Sequence, residues 1–150
     1  MKKHSTIYII LIMIMALMSG CELSKDGWRI DSLKELAPKK GKSYTYFGLS
    51  DSDLKEYKES STYDYIADAT LYYKDHELSV QIFFDKNKKY VHWWAPSFKD
   101  TDGFWKENLS KKFESIWRGN ELQGWVFDEE KGLYLDIDEF DDGTMQLEFK

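Results

Sequence analysis

The chain has one cysteine, Cys21, in 150 residues, so no disulfide can form within it and packing alone must hold it together. Histidine is nearly as scarce. Apart from His4 near the start there are only His76 and His92, two scattered residues without carboxylates at ligand spacing, which argues against a zinc site. No segment is long enough to span a bilayer as a helix. The apolar run from Ile7 to Met18 is twelve residues, and at ~1.5 Å per residue it covers only part of a ~30 Å hydrocarbon core. Basic residues are in deficit, 21 Lys and Arg against 27 Asp and Glu for a formal charge of −6. That disfavours nucleic acid or an anionic bilayer as the main partner, since both reward clustered cations. No nucleophile elbow or comparable signature accompanies either histidine, and nothing in the residue pattern calls for a cofactor.

What is present begins at the N-terminus. Lys2, Lys3 and His4, then the apolar run, then the small residues Ser19 and Gly20 follow the order of a secretory signal. The closing stretch Met18-Ser19-Gly20-Cys21 resembles the lipobox of bacterial lipoproteins, with Met18 where that pattern prefers leucine. The resemblance covers residues 1–21. It implies removal of residues 1–20, a diacylglyceryl thioether on Cys21 and usually acylation of the new amine. One acyl chain anchors marginally and two or more anchor stably. The implied location is the bacterial cell envelope, facing the periplasm or the cell exterior. In a two-membrane cell, Glu22 after the cysteine implies sorting to the outer membrane. Loss of Lys2 and Lys3 takes the formal charge from −6 to −8. Residues 21–27 read as a lipidated tether, short enough to keep the body near the membrane.

Residues 28–150 read as one domain. Ile30, Leu33 and Leu36 suggest a brief helical turn before Pro38. Ser50-Asp51-Ser52-Asp53 reads as a helix start, with Leu54 and Tyr57 continuing one face. Ala67 to Tyr73, Leu78 to Phe84 and Val91 to Ala95 alternate as strands. A second helix is expected over 102–118, carrying Phe104, Leu109, Phe113, Ile116 and Trp117 and ended by Gly119. Strands follow at Trp125 to Asp128, Leu133 to Ile137 and Met145 to Phe149. Leu54 and Leu109, Leu78 and Leu133, and Ile82 and Ile137 are each 55 residues apart, a spacing compatible with sub-repeats over 50–95 and 102–150. The expected fold is α+β, an antiparallel meander of about six strands with two main helices, a tandem helix-plus-three-strand order. In element order alone it resembles the β-lactamase-inhibitory-protein type and the small PepSY-like envelope domains.

Adjacent Trp93 and Trp94 must point to opposite faces of a strand. Simple alternation places Trp94 with Tyr90, His92 and Phe98, and with Trp105 nearby these five form a candidate binding patch for a protein partner or a sugar. His76 reads as a solvated turn residue. Asp138, Asp141 and Asp142 are candidates for a weak calcium site, although Phe140 interrupts the ligand order and an acidic Asp-Gly hairpin accounts for the same residues. The expectation is a lipid-anchored, non-enzymatic envelope protein that binds a protein partner, of inhibitor, immunity or assembly-accessory type. Alternatives are a ligand-binding or hydrolytic module acting on cell-wall or glycan material, and a structural lipoprotein.

Overall fold

The computed structural model describes residues 27–149. Residues 1–26, which hold the lipobox and Cys21, lie outside the described residues. Among the described residues there are nine strands: β1 (Trp28–Ile30), β2 (Lys55–Glu56), β3 (Tyr65–Tyr73), β4 (His76–Phe84), β5 (Tyr90–Phe98), β6 (Glu114–Arg118), β7 (Glu121–Asp128), β8 (Leu133–Glu139) and β9 (Met145–Phe149). One α-helix, α1 (Phe104–Lys112), separates β5 from β6. All the strands belong to one sheet in the order β1-β3-β4-β5-β9-β8-β7-β6, with β2 also on β3.

The sheet is two antiparallel runs, β3-β4-β5 and β6-β7-β8-β9, joined where β5 pairs with β9. Tight turns fix the first run. Tyr73 faces His76 across the β3–β4 hairpin, where Lys74 adopts φ 56°, the left-handed geometry of a two-residue loop. Between β4 and β5, Asp85 Oδ1 accepts the N–H groups of Asn87 and Lys89 at 2.8 and 3.0 Å. After β5, α1 carries the chain to the far edge, from which β6 to β9 return strand by strand.

This architecture corrects the expected fold in three places. The helix anticipated at Ser50 is a single 3-10 turn, Asp51–Asp53, although its start signal is used: the Ser50 N–H donates to Asp53 Oδ2 at 2.7 Å. Leu54 then turns extended, and Lys55 and Glu56 pair with Ile66 and Tyr65. Leu54 and Tyr57 give too narrow an apolar stripe to hold a helix, whereas the open edge of β3 offers a backbone ladder. The helix expected over 102–118 stops at Lys112, and Glu114–Arg118 is β6. Its Ile and Trp suit a strand as well as a helix face, and pairing with β7 decides. Gly119, at φ 62°, then serves the β6–β7 hairpin instead of a helix end. Finally, β1 runs parallel to β3, which makes the sheet mixed. Among the described residues there are thus nine strands and one α-helix, in place of six and two. The tandem unit does not hold either, for Leu54 follows a 3-10 turn whereas Leu109 is buried in α1.

The core lies on one face of the sheet. Ala67, Leu71, Val80, Ile82, Trp93, Leu135, Leu147 and Trp125 are buried there, with Trp105 and Leu109 of α1 and Leu33 and Leu36 of an N-terminal 3-10 turn packed over them. Trp93 sits at the junction of the layers. Its indole N–H donates to Leu36 O at 2.7 Å, and its ring lies 5.8 Å from Trp28 and 6.3 Å from Phe149. The opposite face carries a cross-strand row of Asp68, Gln81, Trp94, Glu148 and Asp136.

Candidate functional site

The five residues of the expected aromatic patch are not brought together, and the reason is the irregularity of β5. Phe83 faces His92 while the next residue, Phe84, faces Tyr90, so Val91 is an extra residue that reverses the side-chain parity. Further along, Ala95 faces Leu147 and Phe98 faces Met145, with another shift between them. Two bulges therefore send Tyr90 and Phe98 to the core side of the sheet. Tyr90 is 3% exposed, packed 5.2 Å from Phe47, and burial pushes its phenol well above the ordinary range, with Tyr63 adding to the effect. Phe98 packs against the core, and Trp105 is buried in it. Only His92 and Trp94 remain on the outer face, both partly buried.

His92 lies in a small cluster there. Its ring stacks on Tyr63 at 5.9 Å and 17°, and both lie against Phe83, at 5.5 Å from His92 and 4.9 Å from Tyr63. His92 Nε2 is 3.4 Å from Glu148 Oε1. Partial burial, then the charge of Glu148, holds the Tyr63 phenol above its ordinary value. The sequence did not signal Tyr63 or Phe83, because their meeting depends on strand register.

Beside this cluster the ends of β5, β7, β8 and β9 open into a cleft of about 1000 Å³. Its floor includes Phe113, Phe127, Leu133 and Phe149, with Tyr63, Tyr90 and His92 on one wall. Phe113 and Phe127 stack at 3.9 Å and Phe127 meets Phe149 edge-on at 5.3 Å, which fixes the floor. Lys34, Lys39, Lys40 and Lys131 line the cleft as well. Lys131 is paired with Asp128 at 3.1 Å, and that bond holds the Asp128 carboxyl below its usual range. The lysines near Pro38 therefore belong to a cleft wall as well as to a loop. A smaller hollow of about 510 Å³ lies at the covered edge of β3, between Gly27, Gly48, Asp68 and Gln81.

The two edges of the sheet differ. Along β3, β1 and β2 cover the two ends, and Gly27 and Gly48 approach between them so closely that a Cβ on Gly48 would lie 2.3 Å from Gly27 O. Along β6 no strand pairs on the outer side among the described residues. Trp117 on this strand is 59% exposed, the most exposed large apolar side chain described. The sequence placed Trp117 on a helix face and so could not mark it as an edge residue.

The remaining candidates are local. Asp142 Oδ1 accepts from the Thr144 N–H at 2.9 Å and hydroxyl at 2.6 Å, which holds its carboxyl below the usual range. Asp138 accepts from Gln146 Nε2 at 3.1 Å. These bonds shape the β8–β9 hairpin that also contains Asp141. Among the described residues, no three His, Cys, Asp or Glu side chains are grouped to hold a metal ion. His76 is not a freely solvated turn residue. Its Nε2 and Nδ1 meet Asp102 Oδ2 at 2.8 Å and Asp75 Oδ1 at 3.0 Å, and its ring stacks on Phe104 at 3.5 Å. The hydrogen bond to Asp102 is the main cause of a raised imidazole pKa. The link ties the β3–β4 hairpin to the start of α1. No family model, no curated protein and no solved structure matches the chain.

Proposed function

We propose that the chain is a lipid-anchored protein of the bacterial cell envelope that works by binding a protein partner and not by catalysis, the partner adding an extended segment to β6. The observation that carries this is the asymmetry of the sheet. One edge is capped by β1, β2 and two closely apposed glycines, while the other, among the described residues, presents a bare strand with Trp117 exposed. Bare edges invite strand addition, and proteins commonly blunt those they do not use. Exposed tryptophans are frequent anchors of binding energy. Glu114 and Arg118, at the two ends of β6, offer opposite charges that favour one direction of an incoming strand.

The anchor is tested by mass spectrometry of the mature protein, which is expected to begin at an acylated Cys21; an unmodified thiol would overturn it. For binding, co-purification from solubilised host membranes identifies a partner, and the purified pair supplies the test. Backbone amides over 114–118 gain protection from hydrogen exchange in the complex, and Trp117→Lys weakens binding by on the order of tenfold or more. A complex that leaves β6 unprotected, or a solution dimer of the chain alone that Trp117→Lys dissolves, overturns the assignment.

A further inference from the structure

We infer that the cleft at the sheet end is a binding site for an amphiphilic anion, a carboxylate or phosphate head on an apolar body. It involves different residues from the β6 edge, so its success or failure leaves that reading untouched. Three observations converge on it. The floor is a fixed aromatic surface of Phe113, Phe127 and Phe149, held by ring contacts at 3.9 and 5.3 Å, the kind of lining that takes the apolar part of a ligand. The wall is cationic. Lys34, Lys39 and Lys40 are exposed and, among the described residues, none of the three makes an ion pair within 4.0 Å. Asp128, the one carboxylate lining the cleft, is already engaged by Lys131 at 3.1 Å.

The third observation is that this concentration of cations runs against the composition of the protein, whose formal charge is −6. Elsewhere several lysines meet carboxylates, as Lys55 meets Asp68 and Lys111 meets Glu107. At the cleft they surround an apolar hollow instead. An apolar neutral molecule would leave these cations without a counter-charge, and a small inorganic anion would leave the aromatic floor wet. An anion with an apolar tail satisfies both. The volume of about 1000 Å³ stands at the upper end of the roughly 300–1,000 Å³ common for small-molecule sites, which suits a single-chain amphiphile. Such a head group can belong to a free amphiphile or to a lipid in a membrane.

The test uses the mature lipoprotein in nanodiscs of zwitterionic lipid, titrated calorimetrically with dodecyl phosphate below its micelle concentration and corrected against empty discs. Saturable binding with a Kd on the order of 10 μM or tighter is expected. The triple variant Lys34→Gln, Lys39→Gln, Lys40→Gln weakens it by about tenfold or more while the thermal midpoint stays in place, because all three side chains are on the surface. Butyl phosphate and dodecanol each bind at least about tenfold more weakly than dodecyl phosphate, one for want of a tail and the other for want of a charge. Inorganic phosphate or dodecanol matching dodecyl phosphate, or a triple variant that binds as well as the parent, overturns the proposal. So does association with phosphatidylglycerol vesicles in the absence of any binding to the free amphiphile, which would make the lysines a membrane contact and the hollow incidental.

Discussion

His76 shows how a turn residue becomes a structural clasp. With both ring nitrogens against carboxylates, the imidazolium is favoured and its pKa rises above the ordinary value of 6.5. A group whose folded pKa is raised contributes its full stabilisation below the unfolded value and loses it as pH climbs through the folded one. Asp102 gives the opposite limit, since its carboxyl is held below 3.8 chiefly by His76, and its contribution fades as pH falls through that lowered value. The clasp is therefore strongest between the acid range and pH 6.5. Chemical denaturation across pH 5 to 9 should show a decline in stability above neutrality that His76→Gln or Asp102→Asn abolishes. A parent and variant with parallel pH profiles would refute the clasp.

Glycines separate in the same way when their surroundings are considered. A Cβ on Gly124 would stand 2.1 Å from Leu135 O, and the residue has φ 150° in a buried strand. A Cβ on Gly119 would meet nothing within 4 Å. Gly119→Ala is expected to cost about 1–2 kcal/mol, the left-handed backbone penalty alone. Gly124→Ala should cost clearly more, since backbone must also move, on the order of 3 kcal/mol. Urea denaturation of the two variants measures the difference.

At the scale of elements, β5 is the strand whose details matter most. Regular alternation makes Tyr90 and Trp94 equivalent, whereas the bulge at Val91 buries the first and leaves the second on the outer face. Tyr90→Ala should lose about 3–5 kcal/mol as a buried aromatic. Trp94→Ala should lose appreciably less, because its ring is only partly buried. Equal costs would mean that the parity is not reversed.

Much of this layer was legible in the chain. β3, β4, β8 and β9 fall on segments whose apolar residues alternate, and the turns at Lys74, Asp85 and Asp142 carry the residues such turns need. What misled was every segment whose pattern fits two periods. Phe113, Ile116 and Trp117 suit a helix by their spacing and a strand by their residue types, and a partner strand, β7, settles the choice. The Ser50 cap was real, but a cap starts a helix only where an apolar stripe exists to continue it.

For the whole molecule, the junction of β5 with β9 unites two antiparallel runs that are each locally paired. Strands at the centre of the sheet, β4, β5, β9 and β8, have ladders on both sides, and the core is packed on them. β2, two residues long, and β6, at the bare edge, have far less support. Native-state hydrogen exchange should find the slowest amides in the central four strands and the fastest in β2 and β6. Uniform exchange across the sheet would contradict this account. Among the described residues, the same arrangement explains the distribution of contact surfaces: one edge closed, one edge open, and a cleft where four strand ends and the segment around Pro38 converge.

Signals that act over a few residues are written in the chain directly: the order of charge, apolar run and Met18-Ser19-Gly20-Cys21 at the N-terminus, the alternation of the principal strands, the tight turns and the single cysteine that rules out an internal disulfide. Register, edges and the cleft were decided only by tertiary structure. Whether Tyr90 faces the core depends on a bulge opposite Phe84, and whether Trp117 lies on an edge depends on how far β6 stands from β3 in space. Lys34 and Lys131 line one cleft because the 3-10 turn at Leu33–Leu36 and the β7–β8 turn, far apart in sequence, meet at one end of the sheet. Such facts follow from the need to satisfy backbone groups and bury aromatic area together, a condition met between segments and not within them.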